Sequence, residues 1–227
     1  MIESIESEGH PQWLQSLIQS RRTEKVIAEM DSDHAVDNDL EEKYRPLIRE
    51  SVLQAGMAPF HFNRGVDAIA EPWRAHVLMR TAARRLAVEL RDELGDKTKI
   101  PNMLAGCGAV ILVTWLPEVS AETTVSGGSL EKQRCRDEEH LAATGAMVQN
   151  LLLLLTAHQM GTYWSSGGTL GGATVFERLG IDAGERLIAA VFVEFPEMKE
   201  QPALRKPGAQ RDNRSDRWIR EVRDLPA

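Results

Sequence analysis

The sequence predicts an α+β domain, and three observations carry the prediction. Segments with helical apolar spacing are interspersed with short apolar runs rich in β-branched residues. The two kinds follow no regular strand–helix–strand rhythm, which argues against a doubly wound parallel sheet. No linker and no internal repeat divides the 227 residues. A chain of this length is within reach of one domain, so a single domain over 1–227 is expected.

Residues 11–20 place Trp13, Leu14 and Ile18 at helical spacing, with Pro11 suited to a first turn. Residues 31–40 read as an acidic turn. A helix over 41–56 follows, with Asp39 as N-cap and Gly56 at its end; Pro46 leaves a later start open. The stretch 57–72 lacks periodicity and reads as a loop. Trp73–Met79 alternates like a strand. Residues 81–95 form a helix that Gly95 closes, and 96–102 a charged turn with Pro101. Cys107–Leu116 is a continuous apolar run, as a strand buried on both faces requires. Residues 118–130 read as a mobile loop.

The longest helix is expected over 131–160. It is apolar nearly all round through Leu151–Leu155, which implies burial on several sides. At Gly161 the character changes to GTYWSSGG, a turn offering backbone N–H groups, two serine hydroxyls and glycines that admit a ligand to the main chain. It reads equally as a Gly-rich cap on a core helix. A short helix over 173–179 capped by Gly180, a strand over 186–195, a polar connection and an amphipathic helix near 213–224 complete the chain.

Composition narrows the function. A net charge of −7 argues against a sequence-blind nucleic-acid binder, yet leaves room for a small anion held by a local arginine cluster. Cys107 and Cys135 lack metal-ligand spacing; a reduced, cytoplasmic protein is expected, with a pairing of the two cysteines as the alternative. The opening MIESIESEGH is acidic and does not read as a secretory leader. The uninterrupted apolar run at Leu151–Leu155 is far below the ~18 residues of a membrane span. The chain also lacks GxGxxG, the Walker phosphate loop, HExxH and GxSxG, and its six histidines show no metal spacing.

Four clusters remain. Ser20-Arg21-Arg22-Thr23-Glu24-Lys25 gathers three cations and the Thr23 hydroxyl within five positions, a set that clamps phosphate through arginine forks and a lysine point charge. It reads also as a solvated basic helix end. Pro59-Phe60-His61-Phe62-Asn63-Arg64 offers Asn63, which both donates and accepts as a heterocycle edge requires, and His61 as a proton donor or an ordinary loop residue. The third is the turn at Trp164-Ser165-Ser166-Gly167. The fourth, Arg205, Lys206, Arg211 and Arg214, has the composition of a solvated surface.

In order and spacing these pieces resemble the FMN-dependent nitroreductase family. Ser20–Thr23 is similar to the family's Arg-Arg-Ser segment after its first helix. Ala58–Asn63 followed by Glu71-Pro72-Trp73-Arg74 resembles its Ala-Pro-Ser loop with Asn and Gln-Pro-Trp. Glu139–Gly167 resembles the long helix and Gly-x-x-Trp-x-x-Gly turn, and Gly180–Leu187 the last strand unit. The resemblance implies a central, mostly antiparallel sheet flanked by helices, an intertwined homodimer, and FMN at the subunit interface. It implies NADH or NADPH as electron donor and a small-molecule acceptor, a nitroaromatic, a quinone or a related electrophile. It assigns Arg21, Arg22 and Thr23 to the phosphate and ribityl chain, Lys25 to the ring, and Asn63 with Phe60 and His61 to the flavin of the other subunit. Trp164, Ser165, Ser166 and Gly167 would line the ring; Arg214, or else Arg211, would complete the clamp. No catalytic side chain and no metal is implied.

The chain departs from the family pattern in four places. Glu71 replaces the glutamine, Gly65–Ala70 adds about six residues, Phe60-His61 replaces the serine pair, and Glu194-Phe195 stands where a glycine is common. The Phe60-His61 and Glu71 changes keep a second class open, a non-catalytic protein that senses flavin or another nucleotide.

Overall fold

The computed structural model describes residues 10–30, 38–118, 128–210 and 214–222. At its centre four strands, β2 (Trp73–Met79), β3 (Ala109–Trp115), β4 (Gly161–Ser165) and β5 (Arg186–Glu194), form an antiparallel sheet in the order β2-β3-β5-β4. Every residue of β3 except Trp115 is buried. Ala109, Ile111 and Val113 enter one core, and Val110 and Leu112 the other. Both faces of the sheet are therefore covered, which is why this strand is apolar throughout rather than alternating.

One face carries α2 (Asn38–Ala55) and α5 (Gly128–Ala157), with Ile48, Met147, Leu151 and Leu155 almost wholly inaccessible. The other face carries α3 (Arg80–Asp92), α4 (Ile100–Gly106) and α6 (Ala173–Leu179). By length and composition alone α5 passes for a membrane span. Val148, Leu151, Leu152 and Leu155 instead bury it in the core, as its sequence predicts. Both cysteines are free, Cys107 buried and Cys135 exposed.

α1 (His10–Ser20) leads into β1 (Glu24–Ile27), which pairs antiparallel with β6 (Leu204–Pro207) in a small second sheet. An isolated parallel bridge, Thr23 to Thr162, joins this sheet to the edge strand β4.

Several expectations are corrected. The turn expected at 96–102 gives way at Ile100 to α4. Pro101 belongs to the first helical turn, where its missing N–H costs nothing, and Asn102 locks the helix to Ala28 through Ala28 N to Asn102 O (3.1 Å) and Asn102 Nδ2 to Ala28 O (2.9 Å). α2 starts at Asn38 and runs through Pro46. Leu40, Tyr44, Leu47 and Ile48 pack on one core from both sides of the proline, and Tyr44 stacks on Phe195 with ring centroids 4.3 Å apart. Gly161–Ser165, expected as part of a turn, is strand β4, because its backbone completes the open edge of β5 from Gly161–Glu194 to Ser165–Ala190. β1 and β6 were not expected; each is four residues long, too short for a periodic signal. The expected helix near 213–224 is absent from residues 214–222, where Trp218, Ile219 and Val222 are all exposed and no packed apolar side supports a helix. The acidic turn at 31–37, the loop residues 119–127 and Arg211 lie outside the described residues.

Candidate functional site: an arginine-lined cleft

Leaving α1, the chain runs through Arg21, Arg22 and Thr23 before β1 begins. Across from them Pro207–Gln210 leave β6. Gly208 N donates to Thr23 O at 3.1 Å, and a Cβ on Gly208 would lie 2.9 Å from Thr23 Cβ, so only glycine permits this approach. Between these two segments and α5 lies a cleft of about 940 Å³, whose walls include Ile18, Arg21, Arg22, Thr23, Gln149 and Arg214. No carboxylate lines it among the described residues. In a chain of net charge −7 this is a local concentration of positive charge and hydrogen-bond donors. Arg21 donates from Nη2 to Thr23 Oγ1 at 3.1 Å, which orients both groups.

Strand β4 lies beside the cleft wall through the Thr23–Thr162 bridge. Lys25 holds its ammonium 5.1 Å from the centre of the Tyr163 ring. Thr162, bridged to Thr23, has a buried hydroxyl with no hydrogen-bond partner. Trp164 is 37% exposed and donates from Nε1 to Ile188 O at 3.3 Å. Ser165 is buried, its Oγ accepting from Gly167 N at 3.2 Å, while Ser166 is exposed. Gly167 has φ +92°, and a Cβ there would stand 2.2 Å from Leu187 Cδ2.

The structure thus brings Arg21, Arg22, Thr23 and Arg214 around one cleft and places Lys25 and Trp164–Gly167 on the elements beside it. Phe60, His61 and Asn63 do not line that cleft. They sit on an ordered loop of their own, where His61 and Asn63 are exposed and Phe60 meets Trp73 edge to face at 5.5 Å. Arg64 fixes the loop by donating to Leu116 O (2.9 Å) and Pro117 O (2.8 Å). The inserted residues form a tight hairpin in which Ile69 N donates to Val66 O (3.0 Å) and Arg64 N to Ala70 O (2.8 Å).

Beside this loop Glu118 accepts two hydrogen bonds from Arg136 Nε and one from its Nη2, at 2.6–3.0 Å, and a longer one from His140 at 3.3 Å. Arg136 also lies 5.9 Å over the Phe62 ring. Burial would raise the Glu118 carboxyl, but the bonds from Arg136 and His140 and the Arg136 and Arg64 charges outweigh it and hold the group below its ordinary range. Sequence reasoning missed Gln149, Gly208 and Gln210 as cleft residues. Gln149, a polar residue in an apolar helix, was the one available signal.

The fold is antiparallel α+β, and among the described residues its cleft is lined by cations and no carboxylate, a donor set that suits an anion. The nitroreductase family model matches residues 36–193, and the chain belongs to the nitroreductase family. The matched segment holds the core sheet but not Arg21–Lys25 or Arg214. The protein YfhC of Bacillus subtilis (strain 168), provisionally named an NAD(P)H nitroreductase, is 34% identical over 82 residues, 36% of this chain. That similarity spans 41% of the Bacillus protein's length. Among solved structures, the fold is similar to a nitroreductase-like protein of Bacillus cereus (TM-score 0.53, 22% identity, covering 80% of this chain and 84% of that one). It is also similar to the Lactococcus lactis nitroreductase CinD, solved with nicotinic acid (TM-score 0.53, 19% identity, 86% and 93% covered). A protein of Desulfovibrio desulfuricans, provisionally named a nitroreductase and solved with FMN, has TM-score 0.51 and 22% identity over 81% of this chain and 86% of that one.

Proposed function

We propose that the protein is an FMN-dependent NAD(P)H oxidoreductase that acts as a cytoplasmic homodimer, each subunit a single domain. One observation carries the reading: among the described residues, three arginines and the Thr23 hydroxyl line a cleft that no carboxylate enters. This donor set fits a phosphate monoester, which arginine binds by bidentate forks. Arg21, Arg22, Thr23 and Arg214 would hold the phosphate. The unpartnered Thr162 hydroxyl beside Thr23 supports a polar ligand reaching from there towards β4.

Bound FMN supplies the hydride chemistry itself, and the chain supplies binding, orientation and charge. Lys25, on β1 against β4, would place a positive charge near the ring and favour its electron-rich reduced form. Backbone N–H groups at Trp164–Gly167 would line its edge. Asn63, with Phe60 and His61, lies outside this cleft within one subunit, which supports its role at the site of a second copy. NADH or NADPH would deliver electrons and leave before a nitroaromatic, quinone or related electrophile takes them, in a ping-pong cycle.

The test is a spectrum of the purified protein, before and after anaerobic NAD(P)H. Flavin bands that bleach on addition are expected. A protein that takes up no added FMN overturns the proposal. Flavin that binds but stays oxidised with both nicotinamide cofactors selects the non-catalytic flavin-sensing alternative.

A further inference from the structure

Glu194 ends β5 with a carboxylate where a glycine is common in the family, and the flavin reading makes no use of it. The residue is only 2% exposed. Arg205, on β6, donates to Glu194 Oε1 from Nε at 3.0 Å and from Nη2 at 2.6 Å. The same guanidinium donates from Nη2 to Met198 O (2.8 Å) and from Nη1 to Gln201 O (3.1 Å). One fork therefore ties the end of β5, the 3-10 turn Pro196–Glu200 and β6 together. Gly161 on β4 makes room for the knot: a Cβ there would lie 2.6 Å from Glu24 Oε2 and 3.3 Å from both Cβ and Oε2 of Glu194.

What this knot holds is the cleft. β6 pairs with β1 in the register Lys25–Lys206 and Glu24–Pro207. The next residue, Gly208, bonds Thr23 O, and Pro207–Gln210 form the wall facing Arg21–Thr23. A four-residue strand pair has little stability of its own and takes its position from what anchors it. A buried ion pair adds little net stability over an apolar substitute, but removing one partner leaves an uncompensated charge. Its structural value here is register.

We infer that Glu194 and Arg205 are positioning residues, which set the register of β6 against β1 and so the spacing of the two cleft walls. The inference rests on the reading of that cleft as the FMN phosphate site. Neither residue lines the cleft, and both act through the backbone of Pro207–Gln210 and Thr23.

Two variants test it, the isosteric Glu194→Gln and the charge-retaining Arg205→Lys. Arg178→Met, which cuts an ion pair to Glu89 and Glu93 on the α3–α6 surface, serves as control. FMN affinity is measured by fluorescence titration, and amide hydrogen exchange is followed across Thr23–Ile27 and Leu204–Gly208. Both test variants are expected to weaken FMN binding by about tenfold and to speed exchange in β1 and β6, with β3 amides unchanged. The control should do neither. Wild-type affinity together with wild-type exchange in both test variants overturns the inference. Should the wild type take up no FMN, the flavin reading fails, and exchange in β1 and β6 alone decides whether Glu194 and Arg205 hold these strands.

Discussion

The Arg21 guanidinium donates to the Thr23 hydroxyl over 3.1 Å, two residues further along the chain. The bond points one edge of the fork at the chain and pre-orients the group at the mouth of the cleft, so less freedom is lost when a ligand binds. Arg21→Ala removes both the charge and the restraint on Thr23. FMN affinity should fall by about 1.5–3 kcal/mol, the value of a hydrogen bond to a charged group. Arg21→Lys should recover only part, since an ammonium lacks the fork. Titration of FMN fluorescence measures both, and an unchanged dissociation constant for the alanine variant refutes the clamp.

Gly167 lies against Leu187, and the contact sets the shape of the turn after β4. Its φ of +92° disfavours any side chain, and an alanine Cβ would overlap Leu187 Cδ2 at 2.2 Å. Gly167→Ala should destabilise the protein by about 1–3 kcal/mol, as overpacking does. Leu187→Ala on that background should return the steric part and leave the backbone part, a coupling that a double-mutant cycle reads directly. Additive effects in urea denaturation would show that the two residues do not meet.

The Glu118 cluster makes this carboxylate, one of several that are depressed, a source of acid sensitivity. Its folded-state pKa lies below its ordinary value of 4.5. A group depressed in this way adds stability that is fully present above the unfolded value and is lost as pH falls through the folded one. Wild-type stability should therefore drop on acidification below about pH 5, and Glu118→Gln should flatten that slope while lowering stability near neutrality. Urea midpoints measured from pH 7 downward decide it: parallel curves for the two proteins would remove Glu118 as a source of the acid sensitivity.

Legibility from sequence followed segment length and the range of the contacts. The long elements, α2, α3, α5, β3 and β5, announce themselves because their apolar residues repeat over many positions. β1 and β6 do not, because four residues carry no period and their pairing spans nearly the whole chain. The Trp164 segment reads as a turn because its glycines and serines signal irregular backbone, whereas the open edge of β5 recruits Gly161–Ser165 as a strand. In the cleft, Arg21, Arg22, Thr23 and Arg214 were legible through the family resemblance. Gly208 was not, since the need for glycine there arises from Thr23, distant in sequence. The role of Glu194 was invisible for a related reason: a glutamate at a strand end reads as solvated until Arg205 is seen to cover it.

The hairpin beyond Asn63 carries strain that one substitution should relieve. Asp67 and Ala68 both adopt positive φ, +55° and +61°, as a two-residue turn between Val66 and Ile69 requires. Aspartate tolerates this region, but alanine pays the Cβ clash of the left-handed conformation, about 1–2 kcal/mol. The hairpin is held regardless by Arg74, which donates to Val66 O at 3.1 Å, and by the bond from Arg64 N to Ala70 O. Ala68→Gly removes the clash, although glycine's freedom in the unfolded chain returns part of the gain. A net stabilisation of about 0.5–1 kcal/mol in urea denaturation is expected. A less stable Ala68→Gly protein would show that the turn is not formed in solution, and with it that the loop carrying Asn63 is not built as described.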